Sequence, residues 1–381
     1  RHVQTYARYI CCILHIAHLA GCCISPSMYC QLYSKYKDSR YLDLAQKSAT
    51  FLLRHQNNIE GSSLFGSFPE GIEVSDLSVM NRHFTFDAAM CIQGLLDLYT
   101  ITNDESLLNS AINAGNWLLS MQKPSGSFLA YIDRDTDKKI HIGKNFHEDS
   151  GCLHAKHAIA LLKLFNSTKD DRFKDSAISV CNWVLELQGQ DGSFWVNPSK
   201  SYVYAHAHCY AVEGLLYAFS ELELASYGKA IDKAAVWLEG NIHNKYGGII
   251  GTHKVDKNFH PIEEYSPRLA LRAFRKFIPR REIATDASSQ AARIFQYRYY
   301  RGEDKQGLEK AKKILDEVIP RVASEDVKKS ALHSRLDISL GWGRKTEIVA
   351  TWPVFFALQA CILNNEDKNK KESVISIQHM F

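Results

Sequence analysis

Two stretches of the chain have nearly the same pattern: AINAGNWLLSMQ at residues 111–122 and AISVCNWVLELQ at residues 177–188. In both, a Trp precedes a Gln by five positions. A looser copy, SATFLLRHQ at residues 48–56, has Phe in place of Trp, and Trp237 begins a degenerate fourth copy. Gly-Ser-Phe triplets follow the first three copies, at residues 66–68, 126–128 and 192–194. A motif that recurs along the chain indicates a repeat architecture.

A second, more apolar kind of segment alternates with these copies and in three cases contains a Leu-Leu pair. These segments cover residues 3–19, 86–99, 153–165, 205–219, 286–299 and 351–363. A single helix of either kind cannot bury its apolar face alone. When the two kinds alternate along the chain, they can bury these faces against each other in a double ring. The sequence therefore predicts an all-α fold, an (α/α)6 toroid with inner and outer helices, as one domain over residues 1–363. Residues 364–381 form a polar C-terminal tail.

The predicted connections differ in length at the two ends of the ring. Connections from inner to outer helices are short, whereas those from outer to inner helices are long. Residues 127–143 have the pattern of a β-hairpin within one of the long connections. Long loops at one end of a rigid scaffold are typical of binding pockets, so we expect the pocket at that end.

Charge and composition favour a small-molecule ligand. Lys and Arg number 46 against 42 Asp and Glu, a net charge of +4. Proteins that bind nucleic acids concentrate basic residues on one face, and this slight excess does not predict such a partner. With 45% hydrophobic residues, the chain can build a large core.

Cysteine usage indicates a reducing compartment. Two pairs of the ten cysteines are adjacent in sequence, and no Cys-x-x-Cys occurs. Buried free thiols in a cytoplasmic protein are the simplest interpretation. The apolar run at residues 9–25 resembles a signal anchor, but it is short for a membrane span and contains two histidines. We expect a buried helix there and no stable membrane insertion.

The repeated unit of an aromatic residue, Gln and Gly-x-Phe/Trp resembles the repeat of terpenoid cyclases and protein prenyltransferase β-subunits. It is equally similar to that of the six-hairpin glycosidase superfamily, including N-acylglucosamine 2-epimerase-like and unsaturated-glucuronyl-hydrolase-like proteins. The resemblance covers about residues 45–363. It implies a toroid with its pocket at the N-terminal ends of the inner helices. The Asp-x-Asp-Asp motif of class II terpenoid cyclases is missing here.

Titratable residues gather at the predicted starts of the inner helices. When these helices are aligned on their Leu-Leu pairs, His154 and His208 fall at the same level, each seven positions before its pair. Asp87 and Asp286 align in the first turns of their own helices. Histidine and carboxylate groups in one cleft suit proton transfer. The candidate catalytic residues are Asp87, Asp149, His154, His157, His206 and His208.

A second group of charged and aromatic residues is expected to bind the substrate. Arg side chains suit planar carboxylate or phosphate groups, and exposed Trp rings could stack on a sugar. The Trp-Gly-Arg segment at residues 342–344 resembles one found near the pocket of unsaturated glucuronyl hydrolases. The candidates are Arg82, His83, Lys156, Trp195, Tyr204, Glu264, Arg268, Asp286, Arg335, Trp342 and Arg344.

These features favour a carbohydrate-active enzyme without a cofactor, acting on an acidic or N-acetylated sugar or glycan. A hydrolase would use two carboxylates, whereas an epimerase or lyase would move a proton at a sugar carbon with His154 and His208. One alternative is a zinc-dependent enzyme similar to prenyltransferases or terpenoid cyclases, with Asp149, Cys152 and His208 as ligands. The other is a non-catalytic toroid that binds a glycan or a partner protein.

Overall fold

The computed structural model is mainly helical, with small antiparallel sheets. Eleven α-helices, two short 3₁₀ helices and ten short strands lie in the described residues. Those residues are 19–72, 78–140, 146–198, 202–254, 282–323, 332–333, 335–338, 344–345, 349–350 and 352–364. Within these ranges, no helix has the length and apolar character needed to cross a membrane.

Six helices form an inner ring and are buried around most of their surface. Each packs against the next along the chain, and the last packs against the first, which closes the ring. The inner helices are α1 (Leu19–Tyr36), α3 (Thr85–Thr102), α5 (His157–Thr168), α7 (Ala205–Leu222), α9 (Thr285–Tyr300) and α11 (Trp352–Asn364).

Five helices form the outer ring, and each packs against two inner helices. In three of them the residue just before the helix is an Asp that serves as N-cap. Its side chain accepts a hydrogen bond from the backbone N–H two residues later. The outer helices are α2 (Ser39–His55), α4 (Glu105–Ser120), α6 (Asp171–Leu185), α8 (Ala225–Gly240) and α10 (Gly307–Val322). This alternation confirms the predicted (α/α)6 toroid, with five outer helices in the described residues.

The first inner helix of the structure, α1, is not the segment predicted at residues 3–19, most of which lies outside the described residues. Helix α1 contains Ser25, Ser27 and Gln31, which a simple reading of hydropathy assigns to a surface. All three side chains are nevertheless buried, and Ser27 and Gln31 bond the polar side chains of Asp97 and Gln359 on other inner helices. Apolar character alone therefore does not identify the inner helices.

The repeated Gln joins neighbouring outer helices. The Gln56 amide nitrogen donates to the carbonyl oxygen of Gly66 at 2.8 Å and to that of Ser110, on the next outer helix, at 2.9 Å. Gln122 and Gln188 make the same pair of hydrogen bonds. Each donates to a Gly carbonyl in its own turn and to a carbonyl of the following outer helix. The motif thus fixes the spacing between successive repeats.

The glycine after each Gln allows a close approach of two backbones. Gly126 adopts φ +90°, and a Cβ there would lie 2.4 Å from the carbonyl oxygen of Ser179. Because this conformation alone costs a non-Gly residue about 1–2 kcal/mol, we expect Gly126→Ala to lower the free energy of unfolding by at least about 2 kcal/mol. Denaturant unfolding measures this. Gly240→Ala is the control, because a Cβ added there meets no atom within 4 Å. Equal losses of unfolding free energy in the two variants would show that the close approach at Gly126 is not the cause.

Short strands occupy the long connections. Strands β1 (Arg82–Phe84), β4 (Tyr202–Tyr204) and β6 (Glu282–Ala284) run directly into α3, α7 and α9. The remaining strands are β2 (Tyr131–Asp133), β3 (Lys138–Ile140), β5 (Thr252–Lys254), β7 (Leu332–His333), β8 (Arg335–Asp337), β9 (Arg344–Lys345) and β10 (Val349–Ala350). All pairs are antiparallel, in the orders β1-β2-β3, β4-β5, β6-β8-β9 and β7-β10.

The β2–β3 pair confirms the hairpin predicted within residues 127–143. Because β1, β4 and β6 each end where an inner helix begins, they hold the first-turn side chains of α3, α7 and α9 at the same end of the ring. We call this end the mouth.

Candidate active site

A tightly paired arginine lies at the mouth, in β1. The Arg82 guanidinium donates to both carboxylate oxygens of Glu70 at 2.8 Å, and its third nitrogen donates to Glu148, also at 2.8 Å. Bidentate pairs of this kind have a fixed geometry. Arg82, a predicted substrate-binding residue, is therefore held in place by these two glutamates.

Asp87 follows in the first turn of α3 and is 91% shielded from solvent, with a relative exposure of 9%. Burial raises the pKa of its carboxyl from 3.8 to about 7, the negative charge of Glu70 adds to this, and Arg82 partly offsets it. A carboxyl in this environment carries a proton for part of the time at neutral pH. Asp87 can therefore act as an acid, as glutamates in apolar pockets do in some enzymes.

His206 and Asp286 meet at the same level of the mouth, in the first turns of α7 and α9. The His206 Nδ1 lies 2.6 Å from the Gln290 side-chain oxygen and 3.6 Å from an Asp286 carboxylate oxygen. Because both neighbours are acceptors, Nδ1 carries the proton, and in the neutral ring Nε2 is then the acceptor nitrogen. This arrangement orients a histidine for proton transfer.

Tyr210 of α7 packs against His206 and against Phe86, the residue before Asp87. Its ring centroid is 4.3 Å from that of His206 and 4.8 Å from that of Phe86. Burial raises the pKa of the Tyr210 hydroxyl well above its usual value, and nearby carboxylates, including Asp286 and Asp87, raise it further. Tyr210 therefore stays protonated, and the charges of both predicted carboxylates act on it.

The floor of this pocket is a buried group of charges on the ring axis. Lys156 donates to Glu213 at 2.7 Å, and Arg293 bonds the other oxygen of Glu213 and the Gln359 side chain. Burial lowers the pKa of Lys156 to about 8 against the opposing effect of Glu213. Burial alone would raise the pKa of Glu213, but Arg293 and Lys156 together hold it below its usual value.

A small cavity of about 20 Å³ lies beside these charges. Its lining comes from five inner helices and the 3₁₀ helix at residues 152–156, and consists of Ser27, Met90, Gln93, Lys156, Tyr210, Arg293, Phe356 and Gln359. Among the predicted residues that the structure describes, only Lys156 lines it directly. Arg293 and Gln359 were not predicted. A charged or amide residue within an otherwise apolar inner helix is the sequence feature that could have identified them.

Three more predicted residues lie around the mouth. Arg335 in β8 donates to the Tyr204 hydroxyl at 2.6 Å and to Glu282 at 3.1 Å, and its guanidinium stacks over the Tyr204 ring. Asp149 is buried and accepts a hydrogen bond from Asn197 at 3.1 Å. These contacts order the loops that frame the pocket.

The predicted histidines 154, 157 and 208 are fully buried among aromatic rings. His157 stacks on Phe128 at 4.7 Å with an interplanar angle of 6°, and His154 meets His157 edge-on. His208 packs against Trp237, and its Nδ1 accepts a hydrogen bond from the backbone N–H of Phe194 at 3.0 Å. None of the three lines the cavity on the axis, and their catalytic role stays a prediction.

These buried histidines should make the fold sensitive to acid. Burial lowers the pKa of His157 and of His83 to about 4 and that of His208 to about 3, below the ordinary 6.5. The unfolded chain then binds more protons than the folded one, so their stabilising contribution is complete above pH 6.5 and is lost as pH falls toward 4.

We expect His157→Phe, which preserves the stacking on Phe128, to reduce this pH slope. Removal of one titrating group changes the slope of the unfolding free energy by up to about 1.4 kcal/mol per pH unit. Denaturant unfolding between pH 4 and 7 measures the slope, and an unchanged slope would show that His157 does not titrate on unfolding.

The other predicted residues are placed away from the cavity or outside the described residues. His83 contacts Ser67 at 2.8 Å, and Trp195 is half-buried against the core. Glu264, Arg268 and Trp342 lie outside the described residues. Of Arg344, only the backbone position in β9 is described.

The residues of the zinc alternative do not form a metal site in the part of the chain that the structure describes. No three His, Cys, Asp or Glu side chains converge there. Cys152 is fully buried, and burial raises the pKa of its thiol well above the usual value. The zinc alternative stays a prediction.

No protein-family model matches the chain, and no curated protein matches it at a significant level. Several solved structures do match the chain. A cellobiose 2-epimerase from Bacillus thermoamylovorans is 14% identical, with a TM-score of 0.70 over 90% of this chain and 86% of that one. A D-mannose isomerase is 12% identical, with a TM-score of 0.66 over 91% and 86%.

An unsaturated glucuronyl hydrolase from Bacillus sp. GL1 is 13% identical, with a TM-score of 0.61 over 90% of this chain and 85% of that one. At these identities the likeness concerns the course of the backbone. It agrees with the ring of inner and outer helices described above and with the resemblance carried by the repeat. The chain therefore has the same (α/α)6 toroid fold as these solved structures.

Proposed function

We propose that the chain is a carbohydrate-active enzyme that performs acid/base chemistry on an acidic sugar at the mouth of the toroid. The observation that carries this proposal is Asp87, a buried carboxyl whose pKa of about 7 keeps it partly protonated at neutral pH. Proton transfer is efficient when the pKa of the catalytic group is close to the working pH. The similar structures named above are sugar enzymes, which supports a sugar as the substrate.

Asp87 and His206 would act as acid and base on the two sides of Tyr210. Protonated Asp87 would donate to a glycosidic or carbonyl oxygen of the sugar. The Nε2 of His206, the acceptor in the tautomer set by Gln290, would take a proton from a sugar carbon or from water. Asp286, 3.6 Å from the ring, would stabilise the imidazolium that forms.

The charges of the floor favour an acidic sugar over a neutral or N-acetylated one. Lys156 and Arg293 carry two positive charges and Glu213 one negative charge, so the buried group has a net charge of +1. A carboxylate on the substrate would be attracted to these two cations, an attraction that a neutral or N-acetylated sugar does not have.

Proton NMR in D₂O tests the proposal and separates the possible reactions. The wild-type protein is incubated with uronates, unsaturated uronyl disaccharides, N-acetylhexosamines and neutral disaccharides. We expect turnover of an acidic substrate. Epimerisation exchanges a carbon-bound proton for deuterium, elimination creates a double bond, and hydrolysis releases a new reducing end without exchange at that carbon.

Two results would contradict the proposal. Turnover limited to N-acetylated or neutral sugars would overturn the preference for an acidic substrate. Saturable binding without turnover of any compound would instead support the non-catalytic toroid.

A further inference from the structure

A second cavity lies at the opposite end of the ring, where the inner helices end. It has a volume of about 110 Å³ and is formed by the C-terminal parts of α1, α3, α5 and α7. We call it the rear pocket, and its lining includes Gln31, Leu96, Asp97, Ile101, Lys163 and Tyr217. Asp97 follows Asp87 by ten residues on the same helix, about 15 Å along its axis. The rear pocket therefore lies at the other end of α3 from Asp87, although Ser27 lines both this pocket and the cavity beside the buried charges.

The rear pocket contains a fixed pair of opposite charges. Lys163 donates to one carboxylate oxygen of Asp97 at 2.5 Å, and the Ser27 hydroxyl donates to the other at 2.5 Å. The Lys163 side chain is 7% exposed and that of Asp97 16%. Because the two charges cancel, the lining attracts neither a cation nor an anion strongly, and it offers a polar surface to a neutral molecule.

Two buried donors in this lining have no hydrogen-bond partner in the described part of the chain. They are the Tyr217 hydroxyl and the Gln31 amide nitrogen. The Tyr217 side chain is fully buried, and the Gln31 amide is oriented by Gln359, which donates to its oxygen at 3.1 Å. Buried donors without a partner are rare in folded proteins and costly, and because both residues line the rear pocket, an acceptor that reaches them there would remove this cost.

We propose that the rear pocket is a binding site for a small neutral polyhydroxy molecule, a monosaccharide or a cyclic polyol. Its hydroxyl oxygens accept hydrogen bonds from Tyr217 and Gln31, and one of its hydroxyls donates to Asp97. The apolar side chains of Leu96 and Ile101 contact the carbon face of the ring. Hydroxyl groups, which both donate and accept, match this mixture of donors and a carboxylate better than a purely anionic ligand does.

Calorimetric titration of the full chain with D-glucose, D-mannose and myo-inositol tests the site. We carry it out on the Asp87→Asn protein, so that turnover at the mouth does not interfere. We expect saturable binding of at least one probe. Tyr217→Phe in that background removes only the hydroxyl and should weaken the binding about three- to tenfold, the effect of one lost hydrogen bond.

Two further variants complete the test. Ser34→Phe places a ring in the rear pocket, whose lining includes Ser34, and should abolish the binding. Tyr227→Phe is the control, because that hydroxyl already bonds Asn182 at 3.1 Å outside the pocket, and it should leave the affinity unchanged. The proposal is overturned if no probe binds, or if binding is the same in Tyr217→Phe and Ser34→Phe as in the parent protein.

Discussion

Asp87→Asn is expected to reduce kcat by about 10²- to 10⁴-fold, the usual contribution of a positioned general acid, while the ring stays folded. The same substitution should make the protein more stable at alkaline pH. Both effects have one cause, since the carboxyl lies in an environment that opposes its ionised form. Asn has a similar shape but cannot donate a catalytic proton or carry a negative charge.

The sign of the stability change follows from the pKa of Asp87. Its value of about 7 in the folded protein exceeds the ordinary 3.8, so the folded state binds this proton more tightly than the unfolded chain does. Below about pH 4 the carboxyl is neutral in both states; between about pH 4 and 7 only the unfolded chain ionises, so the fold loses stability over this range and the loss is complete above pH 7. A shift of this size corresponds to at most about 4 kcal/mol, which Asn would recover above pH 7.

The measurements are kcat between pH 5 and 9 and denaturant unfolding at pH 5 and 8. In the wild type, kcat should fall as pH rises through about 7 if Asp87 is the acid. Asp171→Asn, the same change in the first turn of the outer helix α6, is the control and should alter neither quantity much. Full activity in Asp87→Asn would remove this residue from the mechanism.

Glu213→Ala is expected to give the largest loss of stability, about 3–5 kcal/mol, which is typical when one partner of a buried ion pair is removed. Glu213 is fully buried and is the anion shared by Lys156 and Arg293. Without it, two buried cations would lose the anion that they share. Denaturant unfolding at pH 7 measures the loss.

Two further substitutions separate charge from packing. Glu213→Gln keeps the side-chain volume, so a loss close to that of Glu213→Ala would assign the effect to the missing charge. Glu239→Ala removes the half-exposed partner of Lys310, a pair at 2.8 Å, and should cost less than about 1 kcal/mol. If Glu213→Ala also cost less than this, the charges of the floor would not be coupled as described.

The sequence predicted the ring well because its repeat has a structural cause. The Gln of each copy bonds two carbonyl groups, one of them on the next outer helix, so the spacing of the motif reflects the spacing of helices. The first inner helix was harder to identify. Its buried Ser27 and Gln31 serve the polar centre of the ring, and hydropathy cannot distinguish a polar centre from a surface.

The candidate site was predicted less completely, for a geometric reason. Alignment of inner helices gives the level of a residue along the axis but not the direction of its side chain, which turns by about 100° per residue. Asp87 and His206 lie at the mouth, whereas His208, two positions after His206, faces Trp237 instead of the cavity. The partnership of Glu213 with Arg293 joins residues 80 positions apart, and no local pattern reveals it.

Closure of the inner ring by α11 has a consequence for synthesis. Helix α11 packs against α1, and Gln359 bonds Gln31 across a sequence separation of 328 residues. At about 5–20 residues per second, a ribosome needs roughly 15 to 70 seconds to make the chain between them. During that time α11 does not yet cover its side of α1. The inner ring of the nascent protein therefore stays open, and it exposes apolar surface until its last inner helix emerges.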